Sequence, residues 1–374
     1  MKLLTLSSLL VLANWPSTVL SAGAQHPLAP STSTESLVSL HKSLIEHESI
    51  TGNEGNVGQW LVAYLKAQNF TVETQEVSEG RENILAYIGQ QRKTRIAVSS
   101  HIDTVPPFWP YERRGDEIWG RGSVDAKGSV ATQIKAVEEL RAKGTIAEGD
   151  ISLLYVVGEE TGGDGMRKAN DLGLSWETII FGEPTELKLA SGHKGNTAIT
   201  IRAKGKAGHS GYPELGRNAN SMLIPALYAL GKLELPWSEK YGNTTMNIGR
   251  IEGGVAANVI AEDAMASIAV RLAAGTPDVV HKLVREAVEK TGENLEVECS
   301  PGYGPVPIDT DVPGFDTIIV NYGTDIPNLK GDHKRYLYGP GDILVAHSDH
   351  EHLSISDLET AVKGYKTLIT HALK

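Results

Sequence analysis

The chain has 374 residues, with 35 Lys and Arg against 46 Asp and Glu, and its formal charge of −11 argues against nucleic acid or an anionic membrane as partner. One cysteine, Cys299, excludes an intrachain disulfide, and 40% hydrophobic residues over this length can fill one large or two medium cores without such a staple. No apolar run approaches the roughly 20 residues that a membrane helix needs.

Lys2, the apolar segment 3–12 and the small residues Ser21, Ala22, Gly23 and Ala24 have the layout of a secretory signal peptide over 1–24, so the mature protein is expected to be exported and extracellular. Sequons at Asn69 and Asn243 would take N-glycans in a eukaryotic host. After a polar linker at 26–34, apolar spacing predicts helices over 35–50, through Leu37, Leu40, Leu44 and Ile45, and over 56–68. Strands follow at 71–77, 83–87 and 95–100, the last running into His101 and Asp103. A Gly-rich loop carrying Asp125 leads into a helix at 129–143. The β-branched run 151–157 then stops at the adjacent acids Glu159 and Glu160, and the strand 178–181 stops at Glu183. Strands alternating with helices predict an α/β fold whose mostly parallel sheet is covered by helices on both faces. In such sheets the functional crevice lies at the carboxyl ends of the strands.

That rule gathers His101, Glu160 and Glu183, with Asp125 in the loop beside them, a mixed set that suits zinc. Asp103 would accept the other imidazole N–H of His101 and fix its tautomer. The two adjacent glutamates also fit a solvated turn, and Asp125 also fits an ordinary helix N-cap. If they work together, one glutamate binds metal while the other handles a proton.

From 193 to 301 the texture changes to that of a small α+β domain inserted into the larger one, with an alternating strand at 196–204, helices near 219–233 and 278–291, and strands at 246–251 and 264–272. It carries His209 in GKAGHSG, Asn258 in GGVAANVI, and Arg271 at the end of SIAVR. An arginine there is either a rim charge or a group leaning into an interdomain cleft. Residues 302–374 return to β/α texture, making the catalytic domain 35–192 plus 302–374. The histidines at 347, 350 and 352 form either a metal cluster or an exposed polar loop.

The order HID, GRGSVDAKGS, GEETGG, GEPT, GHSGYPELGRNA, GGVAANVI, VR, YGTD, GPG and AHSDHE resembles the dinuclear zinc metallopeptidase family of glutamate carboxypeptidase, aminoacylase, acetylornithine deacetylase and succinyl-diaminopimelate desuccinylase. The match runs across essentially the whole mature chain, and the leader and sequons look most like its secreted fungal branch of probable carboxypeptidases. The resemblance implies a catalytic α/β domain interrupted by a lid or dimerisation domain, and a homodimer as the common arrangement. It further implies that Asp125 bridges two zinc ions, with His101 and Glu183 completing one site and Glu160 and His347 the other. Glu351, four residues on, marks His347 rather than His350 as the ligand. Glu159 would be the general base, Asp103 the group supporting His101, His209 the lid histidine at the oxyanion, and Arg271, with Asn258 nearby, the holder of a substrate carboxylate. Ala126 departs from the larger residue that many relatives have after the bridging aspartate.

The reaction so implied is hydrolysis of a peptide or amide bond next to a free carboxylate, carboxypeptidase-like, with an aminoacylase or N-acyl amino acid deacylase as the alternative. Two rival readings fail on single residues. The stretch GHSGY lacks the second glycine of a nucleophile elbow, Tyr212 standing in its place, and Asp125 occupies the third glycine position of a dinucleotide loop.

Overall fold

The computed structural model describes residues 33–374, so the predicted signal peptide lies outside the described residues. Six strands form the main sheet in the spatial order Thr71–Ser78, Arg81–Tyr87, Ile151–Val156, Ile96–His101, Thr178–Phe181 and Lys334–Leu337. The last four run parallel, and Arg81–Tyr87 alone runs against the others, pairing antiparallel with both of its neighbours, so the sheet is mostly parallel. Every residue of Ile96–His101 and Ile151–Val156 is buried, as continuous apolar runs covered on both faces require.

Helices Ser33–Glu46, Gly55–Ala67, Lys127–Ala142 and Ile355–Ala372 cover one face, around a core that includes Leu44, Leu61, Val98, Ile134, Tyr155 and Leu368. The other face packs Ala97, Leu154, Met166, Phe181 and Ile326 beneath the short helix Asp164–Ala169 and a three-stranded sheet of Val306–Pro307, Leu189–His193 and Thr317–Val320. Strand Ile96–His101 lies between Ile151–Val156 and Thr178–Phe181, so the chain crosses from one side of it to the other. Its carboxyl end therefore opens on the crevice where connections diverge.

A second unit has its own core. The antiparallel strands Thr245–Gly253, Asp263–Leu272, Gly195–Lys204 and Leu295–Cys299 turn Ile199, Ile201, Ile268 and Val270 toward helices Ala219–Leu230 and Pro277–Glu289, and the opposite sheet face stays open. Strict alternation of buried and exposed residues along Gly195–Lys204 is what a sheet covered on one face demands. The chain enters this unit after His193 and returns just past Cys299. The two crossings are clasped where Asn196 and Tyr303 exchange backbone hydrogen bonds of 3.0 and 2.9 Å.

On the buried face of helix Ser33–Glu46, His41 reaches the Ser123 carbonyl with Nε2 at 2.9 Å, so Nε2 carries the proton and Nδ1 is left bare. Burial lowers its pKa from 6.5 to about 4. The unfolded chain takes up this proton first, so the stability from the neutral ring is full above pH 6.5 and drains as pH falls from 6.5 to 4, by on the order of 3 kcal/mol. Urea unfolding of parent and His41→Gln should show a shallower loss of stability across that window in the variant.

Candidate active site

Each acid reaches the crevice for a local reason. Ile102 N donates to the Val156 carbonyl at 2.9 Å, holding His101 at the end of its strand level with the end of Ile151–Val156. Beyond that strand, Gly158 adopts φ 74°, where a Cβ would stand 1.8 Å from Asp164 Oδ1, and this glycine turns the chain into the short 3-10 segment Glu159–Thr161. Glu183 follows Phe181 at the end of the neighbouring strand. Asp125 is not the cap of helix Lys127–Ala142, since Ala126 holds that position with no side-chain bond.

Asp125 faces two ways. Its Oδ1 lies 3.1 Å from His101 Nε2 and its Oδ2 lies 3.2 Å from His347 Nε2. Glu183 Oε1 stands 3.7 Å from the first histidine, and Glu160 Oε2 stands 3.1 Å from the second. One carboxylate thus stands between the two histidines, with Glu183 against the first and Glu160 against the second, although one donor atom each of His101, Asp125 and Glu160 also lie within 4.8 Å of one another. Glu159 sits with the first group: one donor atom each of His101, Glu159 and Glu183 lie within 4.8 Å of one another. His347 enters with its backbone at φ 62°. His350 turns to Asp349 and His352 stacks on Trp119, so only one histidine of that loop joins the cluster.

Asp103 is fully buried; its main-chain carbonyl, 3.0 Å from His101 Nδ1, takes the bond expected of its carboxylate, which stands 3.4 Å from that nitrogen and accepts from the backbone of Glu159 at 3.1 Å and Glu160 at 3.2 Å. It therefore fixes both glutamates as well as the imidazole. Several positioning residues carry no motif of their own. Thr51 donates to Asp103 at 2.7 Å, and Arg81 ties Glu54 to Asp164 behind the Gly158 turn. Glu351 accepts from the backbone of Val124 and Asp125 at 3.1 and 3.3 Å while pairing with buried Arg121 at 2.5 Å. Only the Glu351 spacing was a usable signal; the others are distant in sequence and meet through the fold.

The electrostatics fit a cation pair. Burial pushes Glu183 up to about 8 and Glu159 well above the carboxylate range, with neighbouring acids adding to both. Hydrogen bonds to Asp125 and Glu160 push His347 up to about 10. Acids gathered away from water share the two histidines as their nearby positive partners, and borderline-soft divalent ions suit this imidazole and carboxylate set.

The cluster lies in a cleft of about 870 Å³ between the two units, lined on the lid side by Arg271, Asn196, Ala198 and Tyr303. Arg271 is half-buried, and among the described residues no carboxylate pairs with its guanidinium. His209 and Asn258 lie elsewhere. They sit side by side on a two-stranded ribbon, where Ser210 N donates to Asn258 O at 3.1 Å, and neither lines the cleft. The expected proximity of Asn258 to Arg271 is not seen. Asn258 adjoins the start of strand Asp263–Leu272 and Arg271 its end, because an extended strand separates its two ends by nearly its whole length. Asn69 and Asn243 are both exposed.

A divided donor set at the strand ends, roofed by a separate sheet, defines a metal-dependent hydrolase of two-part architecture. Residues 191–296 match a family model described as a peptidase dimerisation domain. A probable carboxypeptidase of Aspergillus flavus is 48% identical over 90% of this chain and 87% of its own length, and an M20 peptidase domain-containing protein of Sordaria macrospora is 48% identical over 91% and 85%. Among solved structures, an M20 family metallo-carboxypeptidase from Sulfolobus solfataricus has the same fold, with a TM-score of 0.73 at 18% identity over 90% of this chain and 99% of that one. A dinuclear metal-binding M20 peptidase from Bacillus subtilis gives 0.66 at 16% identity over 91% and 98%. The chain belongs to the M20 peptidase family.

With no cation, Glu183 at about 8 is largely protonated at pH 7. Binding of divalent cations must therefore expel protons. Titrating zinc into chelator-stripped protein at pH 7, in two buffers of different ionisation enthalpy, should show net proton release in the calorimeter.

Proposed function

We propose that this chain is a secreted, zinc-dependent exopeptidase that removes the C-terminal residue of a small peptide. The observation that carries the reading is the unpaired Arg271 guanidinium in the same cleft as the Asp125-centred donor set. A planar fork of donors suits a carboxylate bidentately. His101, Asp125 and Glu183 would hold one zinc ion, and Asp125, Glu160 and His347 the other. When bound, such a pair acidifies a water and polarises the scissile carbonyl.

The chain's own residues supply the rest. Arg271 holds the free carboxylate of the substrate and so places the neighbouring amide over the donor set. Glu159, whose backbone N–H is pinned by Asp103, takes a proton from the attacking water and passes it to the leaving amine, a role worth roughly 10²–10⁴-fold. His209 donates to the developing oxyanion. Because His209 and Asn258 are outside this chain's cleft, they act across a homodimer, each lid completing the partner's site. Exposed Ile224 and Tyr228 on helix Ala219–Leu230, and Ile251 on the edge strand, offer the lid an apolar surface for a second copy. The N-terminal leader supports export, and exposed Asn69 and Asn243 would carry glycans.

Amidation of the substrate's C-terminus should cost roughly 2–4 kcal/mol in kcat/KM, on the scale of breaking a buried charged pair. Arg271→Lys should restore only part of the loss seen in Arg271→Ala. Equal cleavage of acid and amide substrates would refute the exopeptidase reading, and a preference for N-acyl amino acids over dipeptides would move it to a deacylase. Glu159→Gln should abolish turnover with zinc content unchanged. Mixed with inactive His209→Ala chains, it should regain activity, whereas sites closed within one chain would stay silent.

A further inference from the structure

Arg271 provides one side of a carboxylate site, and a second donor converges on it. Tyr303, on the return crossing from the lid, is anchored through its paired backbone bonds to Asn196, the residue opposite Arg271 in the strand register. Its ring is met edge-on by His193 at 5.9 Å, and His193 is itself fixed by Thr324 Oγ1 at 3.1 Å and the Lys194 carbonyl at 2.8 Å. Burial lowers the pKa of His193 to about 4, so this neighbour stays neutral and does not compete with Arg271 for an anion.

The point of convergence is Gly323. A Cβ built there would lie 2.3 Å from Tyr303 Oη and 3.4 Å from Arg271 Nη1. The hydroxyl therefore packs directly on Gly323, in the space that a side chain there would take, and the guanidinium stands beside it on the cleft wall. Both Tyr303 and Gly323 line the same cleft as Glu159 and the donor set. The Thr324 N–H lies against the phenol oxygen, and among the described residues no hydrogen bond uses the phenol proton. Burial, then the Glu159 charge, raise the phenol well above its ordinary range, so it remains a proton donor at any working pH.

We propose that Tyr303 O–H and the Arg271 guanidinium form the two sides of a carboxylate slot at Gly323, the phenol taking the substrate oxygen that the guanidinium leaves less well bound. The slot rests on the exopeptidase reading and sharpens it. It recognises a main-chain carboxylate by two converging donors, and the phenol can take its place only while position 323 is glycine. Tyr303 is accordingly a specificity-determining residue for the terminal carboxylate.

The test compares a dipeptide with its C-terminal amide, by kcat and KM, in the zinc-loaded parent, Tyr303→Phe, Gly323→Ala and the double variant. Tyr303→Phe should raise KM for the free acid and shrink the acid-over-amide preference roughly tenfold to a hundredfold, the scale of one hydrogen bond to a charged group. Gly323→Ala should reduce the preference by pushing the phenol out of place, since its Cβ would stand 2.3 Å from Tyr303 Oη, while its φ lies outside the left-handed region and the backbone itself accepts the change. In the double variant the two losses should fall short of additive, since both act through the same phenol. Calorimetric binding of the product amino acid provides a readout independent of turnover and should weaken in step. If the parent prefers the acid and Tyr303→Phe keeps that preference and that product affinity, the slot is refuted and the exopeptidase reading survives. If the parent shows no preference, both fall together.

Discussion

A single buried carboxylate that must face two histidines sets the terms for the rest of this site. Asp125 can offer one oxygen to His101 and the other to His347 only if its backbone is held at a fixed angle in the loop before its helix. Glu351 does this from the far end of the sequence by accepting the N–H groups of Val124 and Asp125, and Arg121 neutralises Glu351 where water cannot. Without these supports a buried anion would turn toward solvent or take up a proton. The acids around it are pushed upward by the same burial, so the site is assembled in a state that divalent cations complete.

Parallel strands deliver the donors because they end on the same edge of the sheet. His101 and Glu183 come from the ends of paired strands, and the Glu159–Glu160 turn comes from the strand on the other side of His101. Asp103 then binds the histidine to that turn, its main-chain carbonyl facing the imidazole and its carboxylate holding the two glutamates, so their spacing is fixed by a single residue. Economy of this kind makes the cluster rigid, as catalysis by preorganised groups requires.

The lid works by a different logic. Its helices bury one sheet face, and the open face lends Arg271 to the cleft while the Asn196–Tyr303 clasp fixes where the two units join. The ribbon carrying His209 stands away from that cleft, so one chain holds the donor set and the carboxylate grip but not every group the family resemblance implies. On the proposed function, assembly of two chains is part of the chemistry rather than an addition to it.

Much of this was determined by the sequence itself. Apolar runs ending abruptly at His101, Glu159 and Glu183 identified both the strands and the edge at which they act, because a buried parallel strand is continuous in hydrophobicity and polar residues can begin only where it leaves the core. The alternation in Gly195–Lys204 marked a one-sided sheet and hence a second unit. The Glu351 spacing already set His347 apart from His350, but sequence spacing could not show that Asp125 turns away from its helix, or that Asn258 lies with His209 and away from Arg271. Those outcomes depend on which distant backbones are brought together. Thr51, Arg81 and Tyr303 have no pattern of their own, and they gain their roles only when tertiary packing sets Asp103, the Gly158 turn and Gly323 beside them.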